Sequence, residues 1–348
     1  MARPFFRVIV AKMGTANDIE KGLSDWASEH YGAAAAIAGL RRLSGGASQE
    51  TWAFEVEAGE KSEPLILRRA PGGTAAARSS EAITLAIEAA LLEATDKAGV
   101  RVPGVRHVSP PGSALGEAFV MKRVAGETLG RKILRDAEFE TARARLTQQC
   151  GEALARIHSV PLSGVPKLPT SLGRNQIDKY EAVYREFNLP RPVFELAFAW
   201  LKDNEPEPAD PVLVHGDFRL GNLIVDENGL AAVLDWELAH IGDPREDIAW
   251  LCVNSWRFGQ TENRVGGFGQ LDELLDAYAA AGGARYRPAD IDWWEIMGSL
   301  KWGVMCMTMY GAFKTGADPS VERAAIGRRV SENEIDLINL FEGLGRHA

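Results

Sequence analysis

Cysteine is scarce: Cys150, Cys252 and Cys306 are the only three in 348 residues. Their scatter excludes a disulfide framework and a CxxC metal site. It suits a reducing compartment, where a buried thiol behaves as a small hydrophobe. A basic excess is also missing. There are 39 Lys+Arg against 48 Asp+Glu, a net charge of −9, so duplex nucleic-acid binding lacks its usual electrostatic footprint. No apolar run reaches the ~18 residues of a membrane span. The longest candidate, Trp302 to Phe313, is short and carries Gly303 and Gly311. The opening Met1 to Lys12 has no cleavage pattern after an apolar core, so no signal peptide is expected. Internal repeats and low-complexity tracts are absent. With 46% apolar and 25% charged residues, these absences predict a globular, cytoplasmic protein. At ~150 residues per domain, the length fits roughly two domains.

The periodicity predicts a helix over 17–31, with Ile19, Leu23, Trp26 and Ala27 on one stripe. Thr51 to Val56 and Leu65 to Arg68 read as strands joined by a polar turn, hence an antiparallel hairpin. A helix is expected near 75–97 with Ile83, Ile87, Ala90, Leu91 and Ala94 as its apolar stripe. Ala118 to Val124 reads as a strand. From 136 to 158 the pattern is helical, with His158 expected as a C-terminal cap, and further helices fall near 175–187 and 190–204. Strands follow at Val212 to His215, Leu223 to Asp226 and Ala231 to Asp235, and the chain is helical from 245 to about 342.

The informative segment is His215-Gly-Asp-Phe-Arg-Leu-Gly-Asn222, followed by Leu223-Ile-Val-Asp-Glu-Asn-Gly and by Asp235-Trp-Glu. Asp217 precedes Asn222 by five residues and Asp235 by eighteen. A tight loop between short strands can aim all three at one point. An amide and carboxylates suit an oxygen-ligand site for Mg²⁺ that keeps waters and substrate phosphates.

These motifs resemble the catalytic core of protein kinases, H-R-D-x-x-x-x-N followed by D-F-G. They resemble more closely the aminoglycoside phosphotransferase and choline kinase group, where His-Gly-Asp and Asp-Trp take those places. Within it, the chain looks most like the bacterial phosphotransferase proteins related to kinase-like domains of some acyl-CoA dehydrogenases. Leu43-Ser-Gly-Gly matches the nucleotide loop, Leu65 to Arg68 the nucleotide strand, Gly242 to Asp247 the segment after the metal Asp, and Ile326 to Val330 a C-terminal helix.

The resemblance implies a two-lobe α+β kinase-like fold. Residues 1–123 would form an N-lobe with a small antiparallel sheet, and 124–348 a mainly helical C-lobe. It implies ATP and Mg²⁺ as cofactors and a small-molecule hydroxyl as acceptor. Asp217 would take or orient the hydroxyl proton, and Arg219 would meet the γ-phosphate. Asn222 and Asp235 would hold Mg²⁺. Ser44, Gly45 and Gly46 would cover the phosphates with backbone N–H groups, and adenine would lie against the linker from Met121 to Gly126. Asp247 would brace the catalytic loop, and His215 would pack it.

One position departs from the pattern. Arg68 stands where most kinases place a Lys on the α/β-phosphates, and the two cations are not interchangeable. Its partner should be a helix Glu; Glu81 fits by position, with Glu88 as the alternative. A nucleotide-binding pseudokinase without turnover is the rival reading. Trp256, Trp293, Trp294, Trp302 and Tyr310 are available to line the acceptor site. Arg323, Arg328 and Arg329 favour an apolar or anionic acceptor, such as a hydroxy-acid or its CoA ester, over an aminoglycoside.

Overall fold

In the computed structural model, residues 16–43, 49–73, 82–110 and 112–347 are described. They divide into two units. The first holds the described residues up to Ala125 with Ser163–Lys167 and Leu234–Leu238; the second holds Gly126–Leu162, Leu168–Val233 and the remainder from Ala239. Ser44, Gly45, Gly46 and Glu81 lie outside the described residues.

The first unit is built on a five-stranded sheet. Helix α1 (Ala16–Tyr31) is followed by β1 (Ala36–Arg42), β2 (Glu50–Ala58), β3 (Lys61–Arg69), α2 (Leu85–Lys97), β4 (Val105–Val108) and β5 (Ala118–Lys122). The sheet order is β1-β2-β3-β5-β4, and every neighbouring pair is antiparallel. The expected hairpin is β2/β3, in unbroken register from Glu50↔Arg69 to Ala58↔Lys61.

Alternation along β3 decides the fate of its two arginines. Leu65 and Leu67 are buried with Ile19, Leu23 and Trp26 of α1 and with Phe54 and Val56 of β2. Arg69 shares their parity and pairs with Glu50 at 3.2 Å and the Leu115 carbonyl at 2.7 Å. Arg68 has the opposite parity, with Ile66, and pairs with Glu88 of α2.

Helix α2 differs from the sequence reading. Thr84 caps its start, the hydroxyl accepting from the Ile87 N–H at 3.3 Å. Its buried face runs through Leu85, Glu88, Ala89, Leu91, Leu92 and Thr95, whereas Ile87, Ala90 and Ala94 are half-buried. The apolar-stripe rule mis-set the face because a carboxylate stands in the middle of it.

The second unit is mainly helical. Its elements are α3 (Gly130–Arg135), α4 (Glu140–His158), α5 (Gly173–Glu186), α6 (Pro192–Asp203), β6 (Val212–Val214), β7 (Leu223–Asp226), β8 (Gly229–Val233), β9 (His240–Gly242), α7 (Arg245–Cys252), α8 (Leu271–Ala280), α9 (Ala289–Thr315), α10 (Val321–Gly327) and α11 (Val330–His347). Two short antiparallel pairs, β6/β9 and β7/β8, frame the segment from His215 to Asn222.

Helix α9 is the spine, packed by α7, α10 and α11. It is buried almost all round from Ile291 to Met307, which is why it shows no polar face. Trp293 and Trp294 are therefore core residues, and the Trp293 indole donates to the Leu201 carbonyl at 3.0 Å. No helix among the described residues is long and apolar enough to cross a membrane.

Candidate active site

Two clusters, one in each unit, hold the residues singled out above. In the second unit, the loop between β6 and β7 carries Asp217, Arg219 and Asn222. The chain can turn there because Gly216 adopts φ +80°, a conformation strained for any residue with a Cβ. Asp247, fully buried on α7, holds the turn from behind. Its carboxylate accepts from the backbone N–H of His215 at 2.7 Å and of Gly216 at 2.9 Å.

Burial alone would raise the Asp247 pKa, but these bonds and the neighbouring His158 hold it below the usual carboxylate range. His158 is not the helix cap the sequence suggested. Its ring lies 2.8 Å from the Tyr278 hydroxyl and 3.3 Å from Asp247. The His215 Nδ1 accepts from the Asp217 backbone N–H at 3.2 Å, so that ring props the loop from within.

The Asp217 carboxylate is held on both oxygens. Oδ1 accepts from Arg219 Nε at 3.0 Å and from the Trp250 indole N–H at 2.7 Å; Oδ2 accepts from Asn222 Nδ2 at 2.6 Å. The Arg219 guanidinium also stacks 4.6 Å from the Trp256 ring. A Cβ at Gly221 would stand 2.3 Å from Arg219 Nη1, so glycine there leaves the guanidinium its place.

Asn222 gives a second bond from Nδ2 to the Asp217 carbonyl at 3.0 Å. With the amide nitrogen engaged twice, the amide oxygen is the atom available to a hard cation. No cluster of three or more His, Cys, Asp or Glu side chains that could hold a metal occurs among the described residues. Mg²⁺ needs only one or two protein oxygens alongside waters and phosphates, and an Asn amide oxygen and an Asp carboxylate are donors of that kind.

In the first unit, Arg68 is the centre. Its Nη2 lies 3.2 Å from Glu88 and 2.9 Å from Asp235 Oδ1, and its Nε donates to Gln49 Oε1 at 2.7 Å. Gln49 Nε2 in turn donates to Glu88 at 3.3 Å and Glu237 at 3.2 Å. One cation thus faces three carboxylates, bridged by one amide.

Burial pushes the Glu88 carboxyl up to about 6 although Arg68 pulls it down. Arg68 is raised despite its burial, by Glu88 and Asp235. Asp235 has φ +66°, a left-handed conformation that Asp tolerates better than most side chains. Met121 is buried on β5, opposite Ile66 in the register.

Of the two helix carboxylates considered for Arg68, the observed partner is Glu88. Gln49, Glu237 and Trp250 were not singled out from the sequence. Glu237 carries a local signal, two residues after Asp235. Gln49 and Trp250 carry none, since each acts on a residue far away in the chain.

Residues 39–290 match the phosphotransferase enzyme family. The chain is 31% identical over 198 residues to acyl-CoA dehydrogenase family member 10 of Mus musculus, a match covering 54% of this chain and 18% of that protein. It spans less than half the length of the curated relatives it matches.

Among solved structures, a Ralstonia eutropha protein classed with the aminoglycoside phosphotransferases superposes with a TM-score of 0.72 at 20% identity, covering 93% of this chain and 98% of that one. A macrolide 2'-phosphotransferase of Brachybacterium faecium gives 0.61 at 20% identity, covering 88% and 97%. These likenesses show the kinase-like fold, with its small antiparallel sheet and larger helical portion. With more than half of its length matched, the chain belongs to the phosphotransferase enzyme family.

Proposed function

We propose that the protein is an ATP-dependent O-phosphotransferase acting on a hydroxyl of a small molecule. The observation that carries this reading is the Asp217 carboxylate, fixed by three donors in a loop braced through Asp247. Such a carboxylate is built to face one direction, as phosphoryl transfer by positioning requires.

The acceptor oxygen would form a bond to the γ-phosphorus as the bond to the β-phosphate oxygen breaks and ADP departs. The hydroxyl proton would pass to Asp217. Arg219 would meet the γ-phosphate with guanidinium nitrogens other than the Nε it gives Asp217. Arg68 would neutralise α/β-phosphate oxygens, as its placement on β3 supports, and Ser44, Gly45 and Gly46 would cover the phosphates. Mg²⁺ would neutralise phosphate charge when bound, and we assign Asn222 and Asp235 as its protein ligands by donor chemistry. A cytoplasmic location accords with three free, buried thiols.

The test is ATP turnover against a panel of hydroxyl metabolites, with Asp217→Asn alongside. Transfer that falls ~10²–10⁴-fold in the variant while nucleotide binding persists supports the reading. Nucleotide binding with no turnover on any acceptor would favour the pseudokinase instead.

A further inference from the structure

Asp217 is surrounded unevenly. A carboxylate oxygen offers about two acceptor positions. On Oδ1 both are taken, by Arg219 and Trp250; on Oδ2 one is taken, by Asn222. Trp250 sits on the last turn of α7, thirty-three residues from Asp217 along the chain, and is 3% exposed.

Its ring is fixed from α9. A Cβ at Gly298 would come within 3.3 Å of Trp250 Cε3, so the backbone of α9 closes on one part of the indole. One turn further on, the Lys301 ammonium lies 4.7 Å from the ring centroid. That ammonium is buried and pairs with Glu246 at 3.2 Å. Glu246 stands four residues before Trp250, on the same face of α7. Its other oxygen is held by Gln176 at 2.5 Å and His240 at 3.0 Å.

Burial would raise the Glu246 pKa, yet His240 and Lys301 keep it down at about 2. Burial would likewise discharge Lys301, and Tyr180 and Glu246 keep it cationic. A cation on the face of an indole strengthens its N–H as a donor, because it draws electron density towards the ring.

We infer that Trp250, seated by the Lys301–Glu246 pair, is a positioning residue that saturates Oδ1 of Asp217 and leaves Oδ2 as the oxygen that receives the acceptor proton. This rests on the reading of Asp217 given above. The Lys301–Glu246 pair is then the rigid backing of the base rather than a ligand of substrate.

Trp250→Phe keeps an apolar ring and deletes the N–H. A hydrogen bond to a charged group contributes enough that its loss should slow turnover about ten- to a hundredfold. The rate is read as inorganic phosphate release from Mg·ATP with water as acceptor. The expected result is that loss in kcat, with the KM for Mg·ATP within about twofold of wild type, since the Trp250 N–H is given to Asp217 and not to a residue assigned to the nucleotide. In an Asp217→Asn background, Trp250→Phe should cost nothing further, because coupled residues are non-additive.

A second measurement is independent of turnover. The ¹⁵N-indole signal of Trp250 in the intact protein should move when Asp217→Asn replaces a charged acceptor by a neutral one. Wild-type phosphate release by Trp250→Phe alongside an impaired Asp217→Asn would overturn this inference and leave the function standing. So would an indole signal indifferent to Asp217→Asn. Full phosphate release by Asp217→Asn itself would instead overturn the role of Asp217, and this inference with it.

Discussion

Replacing Arg68 by Met keeps most of the side-chain stem and removes the guanidinium that faces Glu88, Asp235 and Glu237. The Glu88 side chain is 1% exposed, so its charge would be left buried beside the Gln49 amide and facing the carboxylates of Asp235 and Glu237. Breaking a buried pair from one side costs about 3–5 kcal/mol. The carboxyl can escape part of that cost by taking a proton. In the wild type its pKa is already about 6 against an ordinary 4.5, and removing Arg68 must lift it further.

A carboxyl whose folded pKa is raised contributes stability below its unfolded value and loses it as pH rises through the folded value. In the wild type that loss is complete a little above pH 6, and amounts to about 2 kcal/mol at ~1.4 kcal/mol per unit. In Arg68→Met it continues to higher pH. The deficit of the variant should therefore be smaller at pH 5, where Glu88 is mostly neutral in both proteins and the lost contact is mainly that to Asp235, and grow to about 3–5 kcal/mol at pH 8. Urea unfolding at the two pH values measures it. Arg68→Met with Glu88→Gln should recover most of the pH 8 loss, the two changes being coupled through one contact. A deficit equal at both pH values, with no recovery in the double variant, would refute the pairing.

Three further outcomes follow from the same structure. Asp217→Asn should bind Mg·ATP as wild type does in calorimetric titration, even where transfer is lost, because Asp217 is assigned to the acceptor hydroxyl and not to the nucleotide, and the isosteric amide keeps an oxygen for its Arg219 and Trp250 donors. Asp235→Ala should weaken Mg·ATP binding more than Asn222→Ala, since a carboxylate neutralises charge where an amide only ligates; equal affinities would remove Asp235 from that role. Asp247→Ala strands the buried N–H groups of His215 and Gly216 at about 1–3 kcal/mol each. Because the Asp247 pKa is lowered in the folded state, its contribution is present above the ordinary carboxylate range and lost on acidification. The variant should thus fall short of wild type at pH 7 and approach it towards pH 3, as thermal unfolding across that range reports.

The sequence by itself determined the elements that local chemistry specifies. The His215 to Asn222 loop and the β7/β8 pair were legible because turn residues sit between short apolar runs. The β2/β3 hairpin was legible from two strand-like runs and the polar turn between them, whereas the separate partners of Arg68 and Arg69 are given by the fold alone. Strands β1 and β9 went unread: β1 is Ala-Ile-Ala-Gly-Leu-Arg-Arg, with little apolar alternation, and β9 has three residues. Both exist because a neighbouring strand supplies their hydrogen bonds.

Tertiary structure alone decided the partners. Glu81 and Glu88 both stand open in the sequence as the partner of Arg68, and only the fold shows Glu88 buried against a guanidinium twenty residues earlier in the chain. His158 reads as a helix end, yet Asp247 and Tyr278 draw its ring into the interior. Trp250 reads as one more apolar residue of a buried helix, and only the fold aims its single polar atom at Asp217. Periodicity records which side of an element avoids water, whereas a buried charge or N–H is fixed by a partner whose place in the chain no local pattern encodes.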